Sequence, residues 1–149
     1  MAKFCRPQAL VSGFPMSRVV LSVEDDDAAY YVPEIAFRDL GTNCELRRTK
    51  DGIEALRFLR KEGEFGNAPT PDLILLNLNL PGLGGIDVLT EMQHDQELKE
   101  IPAVVFSSSR LDSDRANCLA LGARHFIAKP SDYKTLLHAI TTACSYINA

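Results

Sequence analysis

Short apolar runs alternate with helical stripes along nearly the whole chain, and no other feature restricts the possible folds as much. The runs are Val19–Val23, Leu73–Leu76, Ala103–Phe106 and Phe126–Ala128, with a weaker one around Cys44–Leu46. Three of them lack strict period-two alternation, as a parallel strand covered on both faces requires. Between them lie stripes at helical spacing. Ala29, Pro33, Ala36, Phe37 and Leu40 trace the first, and Ile53, Leu56 and Leu59 the second. Ile86, Leu89 and Met92 mark the third, and Ala116, Leu119 and Ala120 the fourth. Tyr133, Leu136, Leu137, Ile140 and Cys144 form the clearest stripe. Gly41, Gly63 and Gly122 stand where helices should stop, and Asp51, Asp112 and Ser131 where they are expected to be capped. Pro33 conflicts with its helix and predicts a kink or a late start. The alternation predicts an α/β fold, a doubly wound five-stranded parallel sheet with helices on both faces.

Composition narrows the class further. The chain has 149 residues, the size of one domain, and its net charge of −4 offers no basic field for nucleic acid or anionic lipid. No apolar run reaches the ~20 residues of a membrane span, and a cytoplasmic setting is expected. The four cysteines, Cys5, Cys44, Cys118 and Cys144, lack paired-ligand spacing and read as reduced thiols without a disulfide framework. His94, His125 and His138 show no metal spacing.

In a sheet of this kind, ligands gather at the carboxyl edge of the strands. The strands end there in Glu24, Asp25, Asp26 and Asp27, in Asn77, Leu78 and Asn79, in Ser107, Ser108 and Ser109, and in Lys129–Pro130. Carboxylates, amides, hydroxyls and an ammonium therefore converge on one rim. Such a set suits a phosphoryl group held with a divalent cation. Hard oxygens match Mg²⁺, while a lysine and a hydroxyl take up the remaining phosphoryl oxygens.

These residues carry a family resemblance. From about Val19 to Tyr146 the chain resembles the receiver domain of two-component response regulators. The matching motifs are Val23-Glu24-Asp25, the segment Pro71 to Pro81, Ser107, and Lys129-Pro130. Arg60–Pro71 followed by Leu78-Asn79-Leu80-Pro81 is similar, more narrowly, to the regulators that accompany bacterial phytochrome histidine kinases. The resemblance implies a flavodoxin-like fold over residues 18–149. Residues 1–17 show no periodicity and read as a flexible tail, an ordered arm packed on a partner being the alternative. The resemblance also implies that Glu24, Asp25 and the Asn79 carbonyl support Mg²⁺. Ser107 would be the switch hydroxyl, Phe126 the aromatic that follows it, and Lys129 the phosphoryl contact before a typically cis peptide bond. Asn77 falls where the family has its phosphorylated aspartate, so the resemblance implies a degenerate acceptor with at most weak Mg²⁺ binding.

The leading expectation is thus a signalling module, not an enzyme, that is not phosphorylated at Asn77. It would act by contact with a histidine kinase or another signalling protein, or with a second copy through the last two helices and last strand. Tyr146 and Ile147 extend beyond what the core needs and favour such a dimer. A second expectation is an ordinary phosphoacceptor in which Asn77 is an introduced replacement. A third, a small enzyme on the same fold, finds no support, because neither a Gly-x-Gly-x-x-Gly loop nor a Gly-Lys-Ser/Thr motif follows the first strand. Ser107-Ser108-Ser109 likewise lacks the glycine-flanked turn of a hydrolase nucleophile.

Overall fold

The computed structural model describes residues 10, 11, 14, 15 and 17–147. Five strands, β1 (Arg18–Val23), β2 (Cys44–Thr49), β3 (Leu73–Leu76), β4 (Ala103–Ser107) and β5 (His125–Ala128), form a parallel sheet in the order β2-β1-β3-β4-β5. The helices are α1 (Asp27–Asp39), α2 (Gly52–Arg60), α3 (Gly85–Gln93), α4 (Asp112–Ala120) and α5 (Tyr133–Cys144). This is the doubly wound α/β sheet predicted from the alternation, and the flavodoxin-like receiver fold that the resemblance implied. Within the leading segment expected as a tail, Leu10–Val11 pairs antiparallel with Phe14–Pro15. The remainder of that expectation, and Cys5, lie outside the described residues.

The missing alternation in the apolar runs has its cause in the packing. Adjacent Val20 and Leu21 are both fully buried, as are Leu73 and Ile74, because both faces of the sheet are covered. Leu21, Val23, Ile74, Leu76 and Val105 pack with residues of α2 and α3 on one face. Val20, Leu73, Leu75, Val104 and Phe106 pack with α1 and α5 on the other. Each such side chain contributes about 1.5–3 kcal/mol on burial. Register aligns the strand ends: Val23 pairs with both Thr49 and Leu76, and Ser107 with Ala128.

Several local expectations are corrected. Helix α4 is turned otherwise than its apolar spacing indicated: only Cys118 is buried, whereas Leu119 is 40% exposed and Ala116 and Ala120 face solvent. In α2, Ile53 is exposed and Ala55 and Phe58 take the core positions. Helix α1 starts promptly at Asp27, capped by Asp26, and runs through Pro33, whose buried ring offsets part of the lost hydrogen bond. Asp51 caps α2 as expected, but Asp132 rather than Ser131 caps α5, and Asp112 is the first residue of α4 instead of its cap. Ile147 is buried in the core and Tyr146 packs against it, stacked on His125, so neither is surplus. Cys118 and Cys144 are buried free thiols, but Cys44 is disulfide-bonded. It lies half-buried on the outermost strand, where a thiol is reachable as the two enclosed ones are not. The Lys129–Pro130 peptide is trans, the form an amide before proline still prefers by about 0.5–1 kcal/mol.

Candidate functional site

Glu24, Asn77 and Lys129 each sit one step beyond a strand, and the hydrogen-bond ladder continues far enough to hold them. The Glu24 amide donates to the Thr49 carbonyl at 3.0 Å, and the Asn77 amide donates to the Val23 carbonyl at 3.2 Å. The Lys129 amide donates to the Ser107 carbonyl at 2.7 Å. Backbone pairing between neighbours thus fixes side chains that are up to 105 residues apart in sequence.

Glu24 is the hub. Its side chain is 6% exposed, and Lys129 Nζ lies 2.7 Å from Oε1. On the other carboxylate oxygen, Asn77 Nδ2 donates at 3.1 Å and the Asp26 amide at 3.3 Å. The same Asn77 nitrogen also lies 3.2 Å from the Asn79 carbonyl, to which it donates. A buried carboxylate left alone would be costly, and here every face of it meets a donor. Asp25 stands exposed. Asn77 is itself buried, and the turn after it is tight. A Cβ on Gly85 would lie 2.4 Å from the Asn77 carbonyl oxygen, so α3 can begin there only with glycine.

The structure therefore brings Glu24, Asn77, Asn79 and Lys129 together, while Asp25, next to Glu24 in sequence, is exposed. Ser107 is fully buried at the same rim, but its hydroxyl is turned to its own loop and accepts from the Ser109 amide at 3.1 Å. Phe126 is 5% exposed and belongs to the apolar cluster that holds Val105 and Cys118.

Sequence reasoning missed Arg48. From near the end of β2 its Nε donates to the Glu24 carbonyl at 3.0 Å, and its Nη1 lies 2.8 Å from the Asp27 carboxylate. The guanidinium lies 4.7 Å from the centroid of the Tyr30 ring. Arg48 holds the Asp27 carboxyl below its ordinary range, and Lys50 assists. The available signal was faint: the pair Arg47-Arg48 near the end of the strand neighbouring the acidic run.

A buried carboxylate, bonded to an amide from the next strand and a lysine from the far edge, thus lies at the carboxyl rim of a doubly wound parallel sheet. Residues 20–141 match the response regulator receiver domain family, and the chain belongs to it. It is 34% identical over 123 residues to the response regulator Rcp1 of Synechocystis, a match covering 83% of this chain and 84% of that one. It is 30% identical to the probable methanogenesis regulatory protein FilR2 of Methanothrix harundinacea, covering 86% and 82%. Among solved structures, the phosphorylated cyanobacterial phytochrome response regulator RcpA superposes with a TM-score of 0.82 at 34% identity, covering 89% of this chain and 94% of that one. The Mn²⁺-bound form of Rcp1 superposes at 0.77 with 34% identity, covering 84% and 90%.

Proposed function

We propose that this chain is a receiver module of phytochrome-type histidine kinase signalling whose acceptor position, Asn77, takes no phosphoryl group and which works through protein contacts. One observation carries the reading. The Asn77 Nδ2 group donates at once to Glu24 Oε2 and to the Asn79 carbonyl. These are two of the oxygens that would hold a cation, so the amide hydrogens replace part of what the cation would neutralise.

Transfer to an acceptor needs an anionic oxygen. A carboxylate lone pair forms the new O–P bond while the donor's bond to phosphorus breaks and its electron pair leaves with the donor. An amide oxygen is neutral and shares its density with nitrogen, so the step fails at Asn77. Mg²⁺ would be held by Glu24, Asp25 and the Asn79 carbonyl, and binding it requires the Asn77 amide to turn its oxygen inward. When bound, it supplies positive charge to the phosphoryl oxygens. That rearrangement breaks two hydrogen bonds and keeps affinity low. Lys129, 23% exposed and paired to Glu24, keeps its ammonium at the rim.

The contact surface lies on the last two helices and β5, where α4 offers Leu119, and Leu111 just before it, to solvent, and α5 offers Tyr133. Its partner is a histidine kinase, another signalling protein or a second copy. The phytochrome connection rests on the similarity to the phytochrome response regulator RcpA.

The test is intact-mass measurement after incubation with Mg²⁺ and acetyl phosphate. The unaltered chain stays unmodified, and Asn77→Asp gains one phosphoryl group. A phosphoryl group mapped to residue 77 or to Asp25 in the unaltered chain overturns the reading.

A further inference from the structure

We propose that Arg48 is a positioning residue for cation binding, holding the Glu24–Asp27 segment in the shape that presents its carboxylates to the rim. The inference rests on the reading of the rim above and extends it to a residue outside that ligand set. Three contacts made by one planar group support it. Nε bonds the backbone carbonyl of Glu24, Nη1 bonds the Asp27 carboxylate, and the flat face covers Tyr30 of α1. Strand end, loop and first helical turn are thereby tied together. The side chain is only 15% exposed, and Nη2 is buried without a hydrogen-bond partner. The guanidinium is held in place although one of its donors goes unsatisfied.

Glu24 is consequently gripped from both edges of the sheet. Lys129 of the β5 side reaches its carboxylate, and Arg48 of β2 at the opposite edge reaches its carbonyl. Four consecutive acidic residues, Glu24 to Asp27, repel one another and would splay the loop. Arg48 draws the Asp27 carboxylate toward β2 and so relieves the repulsion within this segment. A lysine preserves the charge but not the fork: an ammonium on a flexible stem cannot bond carbonyl and carboxylate while stacking on a ring.

The experiment is Mg²⁺ titration by calorimetry in the Asn77→Asp background, with thermal unfolding followed in parallel. Arg48→Gln and Arg48→Lys are each expected to raise the Kd for Mg²⁺ about tenfold, the usual scale for losing a group that orients ligands. Asp27→Asn, a milder change that guards against misfolding, is expected to raise it about threefold. Affinity unchanged in all three, even with a lowered Tm, makes Arg48 merely structural and overturns the proposal. Full affinity in Arg48→Lys, or tighter binding in Arg48→Gln, assigns it a charge effect alone and also overturns it. If Asn77→Asp binds Mg²⁺ but takes no phosphoryl group, the functional reading fails while the Arg48 comparison remains readable.

Discussion

The two ends of the sheet use similar side chains to different ends. At the amino edge, the Asp72 carboxylate accepts from the Val19 amide at 2.8 Å, and Arg18 lies 3.6 Å away. The Asp72 amide in turn donates to the Val19 carbonyl at 2.7 Å. The result is a clip that closes the first rung between β1 and the chain entering β3, and Asp72 remains 33% exposed. At the carboxyl edge, Glu24 is 6% exposed and receives side chains from two other strand ends. An acid that completes a backbone ladder is structural. One that gathers side chains from other strand ends into a buried cluster does more than the ladder requires, and the proposed site lies there.

The comparison breaks most visibly at residue 77. Asn77→Asp should change phosphoryl labelling from none to one group per chain, and it should tighten Mg²⁺ binding relative to the unaltered protein. Equal Mg²⁺ affinity would mean the amide serves the cation as well as a carboxylate does. Glu24→Ala follows. It leaves Lys129 and Asn77 without their common partner, and with Lys129 partly solvated the cost is about 2–3 kcal/mol. In the Asn77→Asp background it should also abolish labelling. Asp72→Ala sharpens the contrast from the other side. It strips the Val19 amide of its acceptor and costs about 1–2 kcal/mol, yet labelling of Asn77→Asp should be unchanged. Denaturant unfolding and intact mass read both quantities. Loss of labelling in Asp72→Ala at full folding would erase the distinction between the two edges.

The same contrast explains what was legible in the sequence. Glu24, Asn77 and Lys129 were readable because polar residues directly after apolar runs point to one edge once the strands are taken as parallel. Arg48 was not, since its partners lie 24 and 21 positions earlier and a basic residue on an edge strand reads as solvated. Helix α4 misled for a related reason. Ala116, Leu119 and Ala120 share a face, but Cys118 is the residue turned to the core, and periodicity cannot say which apolar face is covered. Ile147 looked expendable past the end of α5 and is 6% exposed, because the turn after Cys144 folds it back onto the core. Spacing revealed elements and strand ends, while orientation depended on tertiary packing.

The smallest effect belongs to the amino edge and tests its independence from the rim. His125 at the start of β5 stacks on Tyr146 with ring centroids 5.6 Å apart. Burial, with a lesser contribution from Arg115, pushes its pKa below the usual imidazole value. The folded chain therefore binds this proton less readily than the unfolded chain. The corresponding stability is complete above the unfolded value of about 6.5 and declines as pH falls from there toward the folded pKa. Asp27 and Asp132, whose pKa values are held low, affect stability only below the carboxylate range and stay out of this window. Urea midpoints should thus fall modestly between about pH 7.5 and pH 5.5. His125→Phe, which keeps a ring on Tyr146 but has no titrating proton, should flatten the slope. Labelling of Asn77→Asp should respond to pH identically with or without His125→Phe. A slope that persists in His125→Phe would assign the pH dependence to another group, and a shifted labelling profile would show that the two edges communicate.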